Sequence, residues 1–262
     1  MSVHRSARGF DSAADVYERV RPGYPREAVE WLVATLQLGP GRAVVDLAAG
    51  TGKLTVPLVA AGVRVIAVEP SEAMRAVLQA AAPAAEALEG TAEEIPLPDA
   101  SVDAVTVAQA FHWFANAAAL EEIHRVLKPG GVLGLVWNRR DLSAPAHALL
   151  EGVLARRVGD TPRHRDGDWE RVLEASPLFS PLASAEFPND QALEPGGLVE
   201  RAASTSFIAA MEEAERRELL ADLERRAAAL PRPLKLPHTC ELFAFRATSV
   251  APGSASRSPS ER

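Results

Sequence analysis

In the stretch VVDLAAGTGKLT, residues 44–55, an apolar run carries a carboxylate, Asp46, and leads into a loop with Gly50, Gly52 and Lys53. Glycine in such a loop lets the backbone approach a ligand closely, so the chemistry turns on which ligand that is. A phosphate-cradling loop needs Gly, four residues and then Gly-Lys-Ser/Thr, with the lysine on the phosphates and the hydroxyl on magnesium. Here Leu54 follows Gly52-Lys53, and Leu47 occupies the upstream glycine position. A dinucleotide fingerprint needs Gly-x-Gly-x-x-Gly/Ala, and its third small position holds Thr55. Asp46 opposes a pyrophosphate as well, because like charges repel strongly in a partly dry site. A ligand with an ammonium group would instead find a partner there. Glu69, about 20 residues further on, ends the next apolar run, where a carboxylate can accept hydrogen bonds from both hydroxyls of a ribose. The two acids and the loop suit a molecule with an amino acid and a ribose but no phosphate.

Such a site needs strands to end at the acids and helices to start near the loop. Residues 43–47 and 63–68 read as buried strands. Residues 54–60 read as a helix closed at Gly62, and 71–82 as an Ala-rich helix with Pro70 and Ser71 at its start and Pro83 after its end. A weak strand at 85–89, a strand at 102–108, a helix at 120–127 and a strand at 132–137 follow. This alternation of short apolar runs with amphipathic segments is the signature of βα units around a parallel sheet. Beyond Asp141 the signals weaken: 144–157 and 198–230 read as helical, the second in at least two pieces, and 241–246 as a final strand.

With 47% hydrophobic and 24% charged residues, the 262-residue chain can bury a full core. A lone cysteine, Cys240, excludes an internal disulfide framework and a Cys-based metal cluster, and no metal is expected. The net charge of -7, with arginines dispersed, gives no electrostatic footprint for nucleic acid. No run of 18 or more apolar residues and no signal-peptide pattern occurs, so a cytoplasmic protein without a membrane partner is expected. The organisation expected is a tail and lid segment at 1–30, a ligand-binding core at 31–140, the remainder of the sheet with an acceptor-side cap at 141–248, and a disordered Ser/Pro/Arg-rich tail at 249–262.

S-adenosylmethionine carries the required amino acid and ribose, and at this point the sequence resembles the class I S-adenosylmethionine-dependent methyltransferases. VVDLAAGTGKLT is similar to that family's first motif, VIAVEPSEAM to its second, GTAEEIPLPDASVDAVTVAQAFHWF to its third and fourth, and EEIHRVLKPGGVLGLVWN to the helix-turn-strand of the fifth βα unit. These motifs span residues 42–138 in the family's order. FDSAADVYERVRPGYP and QAFHWF resemble the small-molecule branch of type 11 methyltransferases that includes trans-aconitate-type enzymes. The resemblance implies a Rossmann-like, doubly wound, mostly parallel seven-stranded sheet with helices on both faces, an antiparallel last strand and a helical cap over the sheet edge. It also implies S-adenosylmethionine as donor, a small-molecule methyl acceptor as partner, and a monomer or homodimer.

Carried over by position, Asp46, Gly50, Thr51 and Gly52 line the methionine part of the donor site, and Glu69 holds the ribose. Pro70 and Met74 follow it, with Met74 against the adenine. Thr91, Ala92 and Glu93 reach the adenine edge, although many members have an acid where Thr91 stands, and Gln109 joins the donor and acceptor sites. Tyr17, Arg21 and Tyr24 read either as a lid closing the site or as a polar surface helix and turn. Trp113 and His112 are either packing residues or an acceptor wall and an acceptor-side base or donor. Arg139, followed by Arg140, is either a solvated turn or an anion clamp. Three rivals stand beside the enzyme reading. A fold that binds S-adenosylmethionine without turnover is compatible with the same four motifs. A nicotinamide-dependent oxidoreductase is opposed by Asp46 and Thr55, and a nucleic-acid methyltransferase by acidic charge and by AQAFHW in place of an NPPY-like tetrapeptide.

Overall fold

The computed structural model describes residues 14–155 and 164–249. The expected N-terminal tail lies outside them, as does the C-terminal tail except Ser249.

The helices are α1 (Ala14–Val20), α2 (Arg26–Thr35), α3 (Thr55–Ala60), α4 (Glu72–Ala81), α5 (Ala117–Val126), α6 (Pro145–Leu154), α7 (Asp168–Ala175), α8 (Pro195–Ala203), α9 (Ser206–Ala209) and α10 (Glu213–Ala228). The strands are β1 (Ala43–Leu47), β2 (Arg64–Val68), β3 (Glu86–Leu88), β4 (Val102–Ala108), β5 (Leu127–Arg140), β6 (Phe179–Pro188), β7 (Gln191–Leu193), β8 (Leu234–Leu236) and β9 (His238–Ala247). Seven of these strands form one sheet in the order β3-β2-β1-β4-β5-β9-β6, while β7 and β8 pair separately. Strands β1 to β5 run parallel, and the last strand, β9, lies antiparallel between β5 and β6. Every residue of β1 is buried, as a parallel strand covered on both faces requires.

Apolar side chains leave the sheet on both sides. One core packs Val45, Leu47, Val105 and Val107 against α5 and α7, and the other packs Val44, Val65 and Ala104 against α2 and α3. A third core lies within the cap, where Leu150, Leu198, Leu223 and Leu236 meet from α6, α8, α10 and β8. The cap is thus held by its own apolar centre beyond the sheet. Side-chain caps start two core helices: Ser71 accepts from the Met74 N–H at 3.2 Å, and Asn116 accepts from the Ala119 N–H at 2.9 Å.

Three strands depart from the sequence reading. Strand β6 carries Pro181 and Pro188 and is largely exposed, so its apolar alternation is lost; its place at the sheet edge is where proline is tolerated. The three-residue β7 and β8 are too short for a periodic signal and form only because the cap brings them together.

Candidate functional site

Strand order reverses at β1, which lies between β2 and β4, and ligands of open α/β sheets bind beyond the carboxyl ends at such a point. The glycine loop leaves β1 there, Glu69 follows β2, Gln109 follows β4, and Arg139 and Arg140 end β5. Between this edge and the cap lies a cavity of about 400 Å³. Of the residues singled out in the sequence, Gly50, Thr51, Gln109, His112, Trp113, Arg139, Tyr17, Arg21 and Tyr24 line it.

Asp46 sits beneath the loop with no exposed surface. Its oxygens accept from the Thr55 hydroxyl at 2.6 Å and from the hydroxyl of Thr106, its register partner on β4, at 3.2 Å. Burial pushes its carboxyl up to about 6, against the pull of the two threonines, and nearby Glu69 adds to the rise. It is a buried carboxylate held by hydroxyls, a charge that a ligand cation above the loop would favour. Thr55, which spoils the dinucleotide fingerprint, is therefore the residue that holds Asp46.

The Glu69 carboxylate takes the Gly50 N–H on one oxygen and the Ser71 N–H on the other, both at 3.0 Å, so it braces the glycine loop against the start of α4. Gly50 has φ +58° and open space where a Cβ would lie; a ligand can approach its backbone directly. Gly52 is needed for a second reason. Its φ is +88° and a Cβ would meet Leu78 Cγ at 3.0 Å, so the close packing of the loop on α4 depends on it. Ala48 adopts φ +54° in the same loop and Gln109 φ +60° at the end of β4, costly conformations for residues with a Cβ and concentrated at this site.

The segment expected to reach the adenine is arranged differently from the cavity wall. Pro70 and Thr91 border a separate shallow hollow beside Gly90 and Pro96. Thr91 pairs its backbone with Glu94, Ala92 is buried, and Glu93 accepts from the Asn116 amide at 3.1 Å. Met74 is buried at the first turn of α4.

The N-terminal segment reaches over the loop. Thr51 donates to Glu18 Oε2 at 2.5 Å, while Lys53 Nζ donates to Glu18 Oε1 at 3.0 Å and to the Glu18 carbonyl at 2.7 Å. Tyr24 is hydrogen-bonded to Gln109, and burial holds its phenol well above the ordinary value, so it remains protonated. His112 belongs to the 3-10 turn Phe111–Trp113. Its Nδ1 is 3.5 Å from Trp137 Nε1, which can only donate, so the ring proton belongs on Nε2. Burial, with nearby His164 adding to it, lowers His112 to about 3 and keeps the ring neutral. Arg139 is paired with Glu241 at 2.5 Å and approaches Glu186 at 3.9 Å. Among the described residues no group of three or more His, Cys, Asp or Glu is placed to hold a metal ion. No helix there is long and apolar enough to cross a membrane.

Sequence reasoning missed several cavity residues: Lys53, which Glu18 of α1 pairs, Trp137, His164, and above all Arg165 and Arg201. The last two come from the cap, where no motif marks them and only the fold brings them to the β5 end.

The site fits the donor inferred from the two acids: a buried negative charge with no cation paired to it among the described residues, a backbone cradle at Gly50, and a carboxylate at the end of β2. The methyltransferase domain family matches residues 45–135, the part that builds this edge. An uncharacterized methyltransferase of Mycobacterium tuberculosis is 47% identical over 198 residues, 76% of each chain. An uncharacterized methyltransferase-like protein of Schizosaccharomyces pombe is 37% identical over 233 residues, 88% of this chain and 91% of that one. Among solved structures, a proposed type II methyltransferase from Anaeromyxobacter dehalogenans superposes with a TM-score of 0.59 at 27% identity, covering 87% of this chain and 97% of the other. Motifs, topology and relatives agree, and the chain belongs to the class I S-adenosylmethionine-dependent methyltransferases.

Proposed function

We propose that this protein transfers a methyl group from S-adenosylmethionine to a small molecule held in the cavity between the glycine loop and the helical cap. The observation that carries this reading is the cavity itself: about 400 Å³, it runs from Gly50 and Thr51 at the donor edge to His112, Trp113 and Trp137 on the far wall. That volume suits a small ligand, as pockets of a few hundred Å³ commonly do.

The donor supplies a sulfonium-activated methyl, so transfer is an in-line displacement in which the acceptor bonds to the methyl carbon as the carbon–sulfur bond breaks and its electron pair stays on sulfur. Asp46 contributes a fixed negative charge under the cationic end of the donor site. Glu69 braces the loop and offers remaining lone pairs toward a ribose. Tyr17 and Tyr24 close the N-terminal side and exclude water, and alignment of this kind can contribute several kcal/mol. His112, neutral with its proton on Nε2, serves as a hydrogen-bond donor to the acceptor; so weak a base is a poor proton acceptor.

The test has two parts on one preparation: calorimetric titration with S-adenosylmethionine and S-adenosylhomocysteine, then transfer of labelled methyl to a panel of small acceptors. Binding followed by transfer supports the reading. Binding without transfer to any acceptor turns it toward the rival that the four motifs equally allow, a protein that holds the donor without turnover.

A further inference from the structure

The cavity has a charge pattern that methyl transfer alone does not call for. In a chain of net charge -7, it is lined by Arg21, Lys53, Arg139, Arg140, Arg165 and Arg201, and among the described residues no Asp or Glu lines it. Four of these cations are balanced from behind. Lys53 is paired with Glu18, Arg139 with Glu241, and Arg140 and Arg165 share Glu151 at 3.1 and 2.7 Å.

Arg21 and Arg201 are different. Arg201, on α8, is only 5% exposed, yet its guanidinium is held by neutral groups: it donates to Gln191 Oε1 at 2.5 Å and to His238 Nε2 at 3.0 Å. Arg21 donates to the Ser204 hydroxyl at 3.3 Å and the Thr205 hydroxyl at 3.4 Å, and lies 5.1 Å from the Tyr17 ring centroid. Among the described residues neither has a carboxylate within ion-pair distance. Two guanidiniums brought together at the start of the cap, one almost fully buried, leave a charge that the fold does not neutralise. A buried charge is expensive unless paired. Burial and the mutual repulsion of Arg21, Arg140 and Arg201 oppose the charge on Arg201, which shows how close these groups stand.

We infer that Arg21 and Arg201 form an anion-recognition site for the methyl acceptor, which is therefore a small organic anion bearing a carboxylate or phosphate. This deepens the function proposed above and rests on it. The guanidinium forks suit bidentate anionic oxygens. Leu142, Leu150 and Leu154 in the same cavity suit an apolar body attached to that group. The expectation that Arg139 could clamp an anion is refined: its charge is already met by Glu241, and the unneutralised charge lies on Arg21 and Arg201.

The experiment is calorimetric titration of the full chain, with S-adenosylhomocysteine present, by benzoate, inorganic phosphate and the neutral isostere benzamide. The wild type is expected to bind at least one of the two anions, more weakly as salt is raised, and not benzamide. In Arg21→Gln and Arg201→Gln the anion affinity is expected to fall at least tenfold, with Arg201→Lys falling less. A preference for benzoate identifies a carboxylate acceptor, and one for phosphate a phosphate ester. Equal anion binding by wild type and Arg21→Gln, equal binding of benzoate and benzamide, or no anion binding by the wild type overturns the inference. Arg21 is half-buried, so its variant keeps the test open if the Arg201 variants do not fold. The heat of S-adenosylhomocysteine binding is read separately, so loss of the donor site is distinguished from loss of the anion site.

Discussion

Glu18 accepts the hydroxyl hydrogen bond of Thr51, and the same carboxylate takes Lys53, so α1 is tied to the glycine loop by a single side chain. The tie is partly exposed, so each of its bonds contributes about 1 kcal/mol or less. Glu18→Ala is expected to speed amide hydrogen exchange in α1 severalfold while shifting the global unfolding midpoint by little. Unchanged exchange there would mean that packing of α1 on α8 and α4, not Glu18, holds the segment down.

The buried Asp46 sets stability against function. Between pH 3.8 and about 6 the folded chain keeps a proton that the unfolded chain has released, so this carboxyl favours the fold at acid pH, and that benefit is lost as pH rises through about 6. Above that range its burial costs about 3 kcal/mol. Asp46→Asn removes the charge while leaving amide groups for Thr55 and Thr106. It is expected to raise stability at pH 8 by about 2 kcal/mol in urea titrations and to weaken S-adenosylmethionine binding tenfold or more. A variant that binds the donor normally would show that the charge under the loop is only structural.

The glycines of the loop separate backbone freedom from packing. Gly50→Ala meets open space and costs only the left-handed conformation, about 1 kcal/mol. Gly52→Ala has that cost and also pushes a methyl against Leu78 on α4, for a total of about 2–4 kcal/mol. Thermal unfolding should therefore rank Gly52→Ala as the less stable, whereas donor titration should find both weakened. The reverse order in stability would contradict the packing geometry.

These contrasts also mark what the sequence could disclose. β1 and β4 were readable to the residue because parallel strands buried on both faces are continuous apolar runs, and Ser71 was readable as a cap because its chemistry is local. Glu69 and Gly50 follow from those elements. What was not readable depends on long-range placement. Thr55 and Thr106 holding Asp46 requires the β1–β4 register, and Arg201 meeting Arg21 requires the cap to fold over the edge. β6 was hidden because an exposed edge strand need not alternate, and its prolines argue locally against a strand.

Two buried histidines make the cap acid-sensitive. Arg201 donates to His238 Nε2, which places the ring proton on Nδ1, and His147 Nδ1 faces the Asp141 carbonyl at 3.0 Å. Burial, with Arg201 adding to it, lowers His147 to about 4 and His238 to about 3. The unfolded chain takes up protons near pH 6.5 that the folded chain refuses, so their contribution is complete above about 6.5 and is lost as pH falls toward 4. These two act against Asp46 and outnumber it. The unfolding midpoint is expected to fall from pH 7 to pH 5, with a shallower slope in His238→Gln, whose amide oxygen can still accept from Arg201. A midpoint that rises toward pH 5 would assign the dominant titration to Asp46.

The role of His112 can be read from the pH dependence of turnover. A ring lowered to about 3 stays neutral across the working range, so it contributes no inflection near pH 6–7, and its Nε2–H is available throughout as a donor. Once an acceptor is in hand, kcat is expected to show no histidine inflection between pH 6 and 8. His112→Gln, which can still donate through its amide, is expected to retain more turnover than His112→Ala, with donor affinity nearly unchanged in both. If instead the wild type shows an inflection near pH 6.5 that His112→Gln abolishes along with the activity, His112 removes a proton from the acceptor. The burial that keeps it neutral would then have to be relieved in the ternary complex.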